Sequence, residues 1–220
     1  MKKILLAILS LAALNCFAQK WIAHKVDTSL MVTIPEGYTI IDTLEQHIIR
    51  APIANALVMI QTLKNAGQTA TNIQSKDELI KNYKEFQKGL VGAQHGKLLT
   101  QKMVTKDGLY MTEFSFTASA NEEKQIRHFL TVFFNETWYT ISFWEVSAMS
   151  PELKGDREKL FSSVKFPAGS SLKNQLSYSV EGSVAYKNGY IIGRLLGFVV
   201  VIGAVVGLIV WVSKRGRRKK

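Results

Sequence analysis

Between residues 30 and 166 the spacing of apolar positions switches from a two-residue period to a helical one, back again, and then to helical once more. Leu30 to Ile34 is a short β-prone run ending in Pro35-Glu36-Gly37-Tyr38, a turn signature. Thr39 to Asp42, His47 to Ala51 and Ala56 to Leu63 follow as strands, the last apolar enough to lie centrally in a sheet. Ser75-Lys76-Asp77-Glu78 then reads as a capping box, with Ser75 as N-cap and Glu78 reaching back to it. Leu79, Tyr83, Phe86 and Leu90 recur behind it at helical spacing, and Gly92 is placed to stop that helix.

Four further runs predict an antiparallel meander: Lys97 to Thr105, Leu109 to Ala118, Lys124 to Asn135 and Thr137 to Val146. Lys106-Asp107-Gly108 and Asn135-Glu136 supply turns. In the last run Tyr139, Ile141 and Phe143 alternate with Trp138, Thr140, Ser142 and Trp144, so large residues point both ways and the sheet should be covered on both faces. A second helix is announced by Ser150 with Pro151 at its first position, and Leu153, Leu160, Phe161 and Val164 form its apolar side. Gly155 leaves the start of this helix open between Ser150 and Asp156.

Four of these segments together resemble the PsbP/Mog1-like family: the early strand into Pro35-Glu36-Gly37-Tyr38, the mid-chain helix, the long meander, and the closing helix running into Ser163-Val164-Lys165-Phe166-Pro167. The resemblance implies an α+β fold, an antiparallel sheet flanked by helices. That layout occurs in photosystem accessory subunits, a nuclear GTPase cofactor and bacterial envelope proteins. It also implies an accessory or binding role without catalysis, and it transfers no site residue and no cofactor.

The ends of the chain carry a different signal. Residues 1–18 have the parts of an export signal: Lys2 and Lys3, an apolar run from Ile4 to Leu14, and small residues at Cys16 and Ala18. Cleavage is expected between Ala18 and Gln19. Cys16 as a lipid-bearing cysteine fits less well, because Ala13 and Asn15 occupy its −3 and −1 positions. Leu195 to Val212 has no charge and, as a helix, measures about 27 Å, close to the hydrocarbon thickness of a bilayer. Tyr190 and Trp211 stand at the two interfaces. Lys214, Arg215, Arg217, Arg218, Lys219 and Lys220 follow, a basic run that marks the cytoplasmic side. The expected organisation is thus a signal peptide (1–18), an extracytoplasmic domain (19–166), a Ser- and Gly-rich stalk (167–189), one transmembrane helix (190–212) and a basic tail (213–220), in a cell membrane with the domain on the periplasmic side. Gly193, Gly197, Ala204 and Gly207 share one side of that helix, a small-residue stripe suited to homodimer packing.

The formal charge of +11 invites a nucleic-acid reading, but nine of the 28 basic residues flank the membrane-related segments. The remaining 19 face 17 acidic residues, too even a balance for a nucleic-acid footprint. The one cysteine is Cys16, so the mature domain would have no thiol or disulfide. His24, His47, His95 and His128 show no metal-ligand spacing, and the chain holds no HExxH, GxSxG, Walker A or GxGxxG motif. Asn135-Glu136-Thr137 is a glycosylation sequon by letter and a hairpin turn by context. Trp138 and Trp144 share a strand face, and the cluster they form is either sheet core or a patch for a protein partner. The expectation is a single-pass binding or accessory module in contact with the lipid bilayer and a protein partner, with no nucleic acid or cofactor. A signal-relay or assembly subunit acting through the helix, and an enzyme of unfamiliar type, are the alternatives.

Overall fold

The structure, a computed structural model, describes residues 19–43, 46–64, 72–120 and 123–177. Ala18, the helix stripe Gly193, Gly197, Ala204 and Gly207, and the tail cations Lys214 to Lys220 lie outside them. Among the described residues no helix is long and apolar enough to cross a membrane.

The described residues form nine strands and two α-helices, in order: β1 (Trp21–Lys25), β2 (Met31–Pro35), β3 (Thr39–Asp42), β4 (Gln46–Ile53), β5 (Ala56–Lys64), α1 (Lys76–Ala93), β6 (Lys97–Lys106), β7 (Leu109–Ala120), β8 (Glu123–Phe134), β9 (Thr137–Val146) and α2 (Lys154–Ser162). Seven strands form one antiparallel sheet in the order β3-β4-β5-β9-β8-β7-β6. Two meanders therefore meet at β5 and β9, and α1 carries the chain from the centre of the sheet to its far edge. The meander turns suit their residues. Asp107 and Gly108 (φ 52° and 79°), and Asn135 and Glu136 (φ 44° and 56°), all take the left-handed conformation that two-residue hairpins require.

Both faces are covered, as the alternation in β9 requires, but by different means. α1 spans about 27 Å and lays Leu79, Tyr83, Phe86 and Leu90 on one face. On the other face α2 has nine residues, about 14 Å, against a sheet roughly 34 Å wide. The remainder is covered by the β1–β2 hairpin, whose first strand the sequence pattern does not predict. "Flanked by helices" thus describes one face fully and the other in part.

The start of α1 follows its local signal, while its end and the start of α2 depart from theirs. Ser75 Oγ accepts from Glu78 N at 3.2 Å, as the capping box predicts, while the Glu78 carboxylate reaches one residue further, to Gln74 N at 2.6 Å. Gly92 does not stop α1. Gly96 N donates to Val91 O and His95 N to Gly92 O, a Schellman end whose left-handed residue is His95 (φ 49°). Nor does α2 begin at Pro151. A 3-10 turn (Ser147–Met149) intervenes, and Ser150 does not cap: its backbone is already helical (φ −59°, ψ −36°) and its hydroxyl donates to the Glu145 carboxylate.

The boundary at 166 also moves. Residues 167–177 are no stalk but a strap packed into the sheet, with Gln175 and Ser177 fully buried. Where β7 and β8 splay apart, beyond the Thr112–Thr131 pair, Gln175 enters the gap. Its amide nitrogen donates to Tyr110 O, Phe133 O and Tyr83 Oη, and its oxygen accepts from Tyr110 N at 2.8 Å. The Tyr83 hydroxyl donates to Tyr110 O and accepts from Phe133 N, both at 2.9 Å. Two side chains thereby replace the missing rungs of the ladder. Residues 178–189, the rest of the expected stalk, lie outside the described residues.

Candidate functional site

On the α1 face both tryptophans are inside. Trp138 is 0% and Trp144 3% exposed, so neither offers surface to a partner, and the cluster is sheet core. The Phe86 ring stacks on Trp138 at 5.1 Å, with Tyr83 edge-on at 5.8 Å and Phe133 tilted at 5.3 Å. Near the end of this layer the buried Arg127 guanidinium lies 3.9 Å over the Trp144 ring. Its hydrogen bonds go to the amide oxygens of Gln94 and Gln125, and burial lowers its pKa to about 10.

The α2 face carries charge at both ends. At one, the Glu145 carboxylate is fully buried between β8, β9 and α2. Arg157 Nη1 donates to both its oxygens (2.8 and 2.7 Å), His128 Nε2 lies 3.0 Å from Oε1, and Ser150 Oγ donates to the same oxygen. Burial pushes this carboxyl up, but the His128 and Ser150 hydrogen bonds and the positive charge of Arg157 outweigh it, and the pKa is lowered. The trio Ser150, Glu145 and His128 has the residue types of a nucleophile relay in the wrong order: the hydroxyl donates to the carboxylate and has no contact with the imidazole that would activate it. This cluster is a brace that pins the start of α2 to the sheet.

At the other end an open groove crosses the α2 face. It consists of three depressions of about 350, 580 and 470 Å³. The first two share Lys165, Phe166 and Pro167, and the second and third share Lys106 and Ser162. Phe161, Phe166, Met111 and Leu130 supply apolar surface, and Lys25, Lys106 and Lys165 supply cations along its length. The acids beside them are largely engaged. Asp27 accepts from Ser29 N, Leu30 N and the Tyr139 hydroxyl (2.7, 2.8 and 2.6 Å), and Glu113 pairs with Lys102 at 3.0 Å. Lys106 Nζ donates to the carbonyl of Ser162, at the C-terminal end of α2 (2.6 Å), where a cation suits the helix dipole. Burial and the nearby Lys165 charge lower the Lys106 amine against the pull of Asp107. The backbone of Lys165 is fixed to Met31 by two hydrogen bonds, so its place on the rim is set by β2.

No signal in the chain joins Lys25, Lys106 and Lys165, which lie on three separate elements. Glu145 did leave one, as the sole charge in the apolar run Phe143-Trp144-Glu145-Val146. The histidines scatter as their spacing implies. His24 packs edge-on against Tyr38 at 4.7 Å, His47 Nδ1 meets Asp42 at 2.5 Å, His95 ends α1 and His128 braces Glu145. Among the described residues no group of three or more metal-binding side chains forms.

No known protein family and no curated protein matches this sequence. Among solved structures, the cyanobacterial PsbP of Synechocystis sp. PCC 6803 aligns over 70% of this chain and 96% of its own, with a TM-score of 0.50 at 10% identity. The fold is PsbP-like. Looser likenesses are the Saccharomyces cerevisiae Ran-binding protein Mog1p and the Mycobacterium tuberculosis LpqN, which is involved in cell envelope biogenesis. Both have TM-scores of 0.42; identities are 8% and 10%, covering 73% and 68% of this chain and 100% and 91% of theirs. At such identities the likeness extends to the fold and to no individual residue.

Proposed function

We propose that this protein is a non-catalytic accessory module, tethered to a membrane by its C-terminal helix, that binds an anionic surface of a partner protein in the groove on the α2 face. The groove carries this reading. It joins apolar floor to three lysines, and of the acids beside them Asp27 and Glu113 are engaged by other groups while Asp107 faces Lys106, an arrangement whose balance of charge attracts anionic groups. Tethering is supported by the uncharged run Leu195 to Val212 and by the basic residues that follow it.

The reading is tested by placing a photo-crosslinking residue at Phe161 in the groove or at Lys84 on the exposed side of α1, in cells. A discrete product from position 161 that is absent from position 84, and lost when Lys25 and Lys165 are both changed to Glu, is the expected result. Equal products at both positions, or products indifferent to the charge reversal, refute the groove. Tethering is tested separately: protease added outside the cytoplasmic membrane should digest the domain and spare a tag after Lys220.

A further inference from the structure

The two edges of the main sheet differ sharply. Among the described residues β3 ends one side with four residues, whereas β6 leaves a ten-residue strand with one free side. Eight of the ten β6 residues are exposed. Leu98, Leu99 and Met103, at 43%, 47% and 37%, account for three of the six exposed large hydrophobic residues in the described chain. A bulge between Leu98 and Thr100 interrupts the ladder at Leu99, leaving Thr100–Lys106 as an uninterrupted run. Such an edge holds unpaired backbone donors and acceptors and is a template for another strand.

Its charge selects what can add. β6 carries Lys97, Lys102 and Lys106 and no acid; the one carboxylate paired with it is Glu113, on β7. A second copy of this chain pairing edge to edge would set six lysines along one seam, with like charges close across the strands. An acidic strand would instead meet a cation every four or five residues, while the backbone completes the ladder and Leu98 and Met103 receive its apolar side chains. The groove's third depression is lined by Val104, Thr105 and Lys106, so the last residues of β6 belong to both edge and groove, while Lys97 to Met103 line no part of the groove.

We infer that β6 accepts an extended acidic segment of a partner protein as an eighth strand of the sheet. Strand addition gives affinity through the main chain and selectivity through alternate side chains and charge. The inference shares Val104 to Lys106 with the groove and is told apart from it at residues 100–103, so either can fail alone.

The experiment uses the full chain in detergent micelles and three capped ten-residue peptides, with hydrogen exchange as the readout. One peptide alternates Glu with Val, one alternates Lys with Val, and the third is the Glu–Val peptide with alternate backbone amides methylated. The first should bind and slow exchange at residues 100–106. The other two should not, and raising the salt should weaken binding. Lys97→Glu with Lys102→Glu should lower the affinity at least about tenfold while leaving exchange in the rest of the domain unchanged. The inference is overturned if the lysine or methylated peptide binds as well, or if protection appears at residues 161–169 in place of 100–106. It is also overturned if the free chain is already dimeric with the β6 amides protected.

Discussion

The two faces of the sheet are built from the same strands and do different work. Under α1 the side chains are aromatic and enclosed, and the few polar atoms are tied down or shut in. Under α2 the apolar layer is comparable in size but is bounded by Glu145 at one end and a lysine-lined groove at the other. Coverage explains the contrast. An 18-residue helix covers most of its face, with Ile73, Leu172 and Leu176 packed beside it, whereas α2, the β1–β2 hairpin and the chain between them leave seams, and seams are where ligands can enter. One face should therefore govern stability, and the rim of the other should govern binding.

The strongest way to break this division is Trp138→Ala. The ring is wholly buried and touches Tyr83, Phe86 and Phe133, so the change should cost about 3–5 kcal/mol, read as a large drop in denaturation midpoint. Molecules that remain folded should crosslink at position 161 as before. Loss of crosslinking beyond the loss of folded protein would show the faces to be coupled.

Next in size is Glu145→Ala, expected to cost about 3 kcal/mol because it leaves Arg157 and His128 without their shared buried carboxylate. The acid sensitivity has a definite sign. The folded carboxyl titrates below its ordinary value of 4.5, so the folded state releases the proton more readily than the unfolded chain. Its stabilisation is complete above that value and is lost as pH falls through the folded pKa. Glu145→Gln should remove this part of the acid dependence while keeping the shape, and urea midpoints between pH 3 and 7 would show it.

Gln175→Ala follows, at about 2–3 kcal/mol, since it strips partners from the backbone of Tyr110 and Phe133 inside the sheet. The expected result is faster hydrogen exchange at Tyr110, whose amide loses its acceptor, ahead of the rest of β7 and β8. A variant as stable as the parent would return residues 167–177 to the role of a linker.

This strap marks the limit of what the chain spells out. Period-two alternation in β7 and β9 and the 79-83-86-90 stripe of α1 are visible because each element repeats its burial locally. Gln175 sits among Ser, Asn and Gly, a composition that reads as linker, and its four partners come from residues 42 to 92 positions away. β1 is hidden for a related reason: its five residues gain their place by pairing with β2 over the α2 face. The groove lysines are harder still, since exposed cations on unrelated elements have no periodicity to betray them. Trp138 and Trp144 were ambiguous until the helix above them was placed, because an apolar strand face looks the same whether a helix or a partner covers it.

The smallest effect tests how tightly the closed face is shut, at the end of α1. His95 holds a left-handed backbone (φ 49°) that costs a residue with a Cβ, so His95→Gly should relieve strain and, after the added entropy of the unfolded chain, stabilise by about 0.5–1 kcal/mol. Its neighbour should behave oppositely. A Cβ on Gly96 would lie 2.5 Å from the Phe116 ring and 3.1 Å from Thr117 O, so Gly96→Ala should destabilise, by about 1–3 kcal/mol if the ring must shift. The pair separates two reasons for small residues at a helix end. At 95 the backbone angle calls for glycine and the sequence does not supply it; at 96 the packing of Phe116 beneath the end of α1 does. Equal signs for the two substitutions would mean that α1 meets β7 less closely than the enclosed face requires.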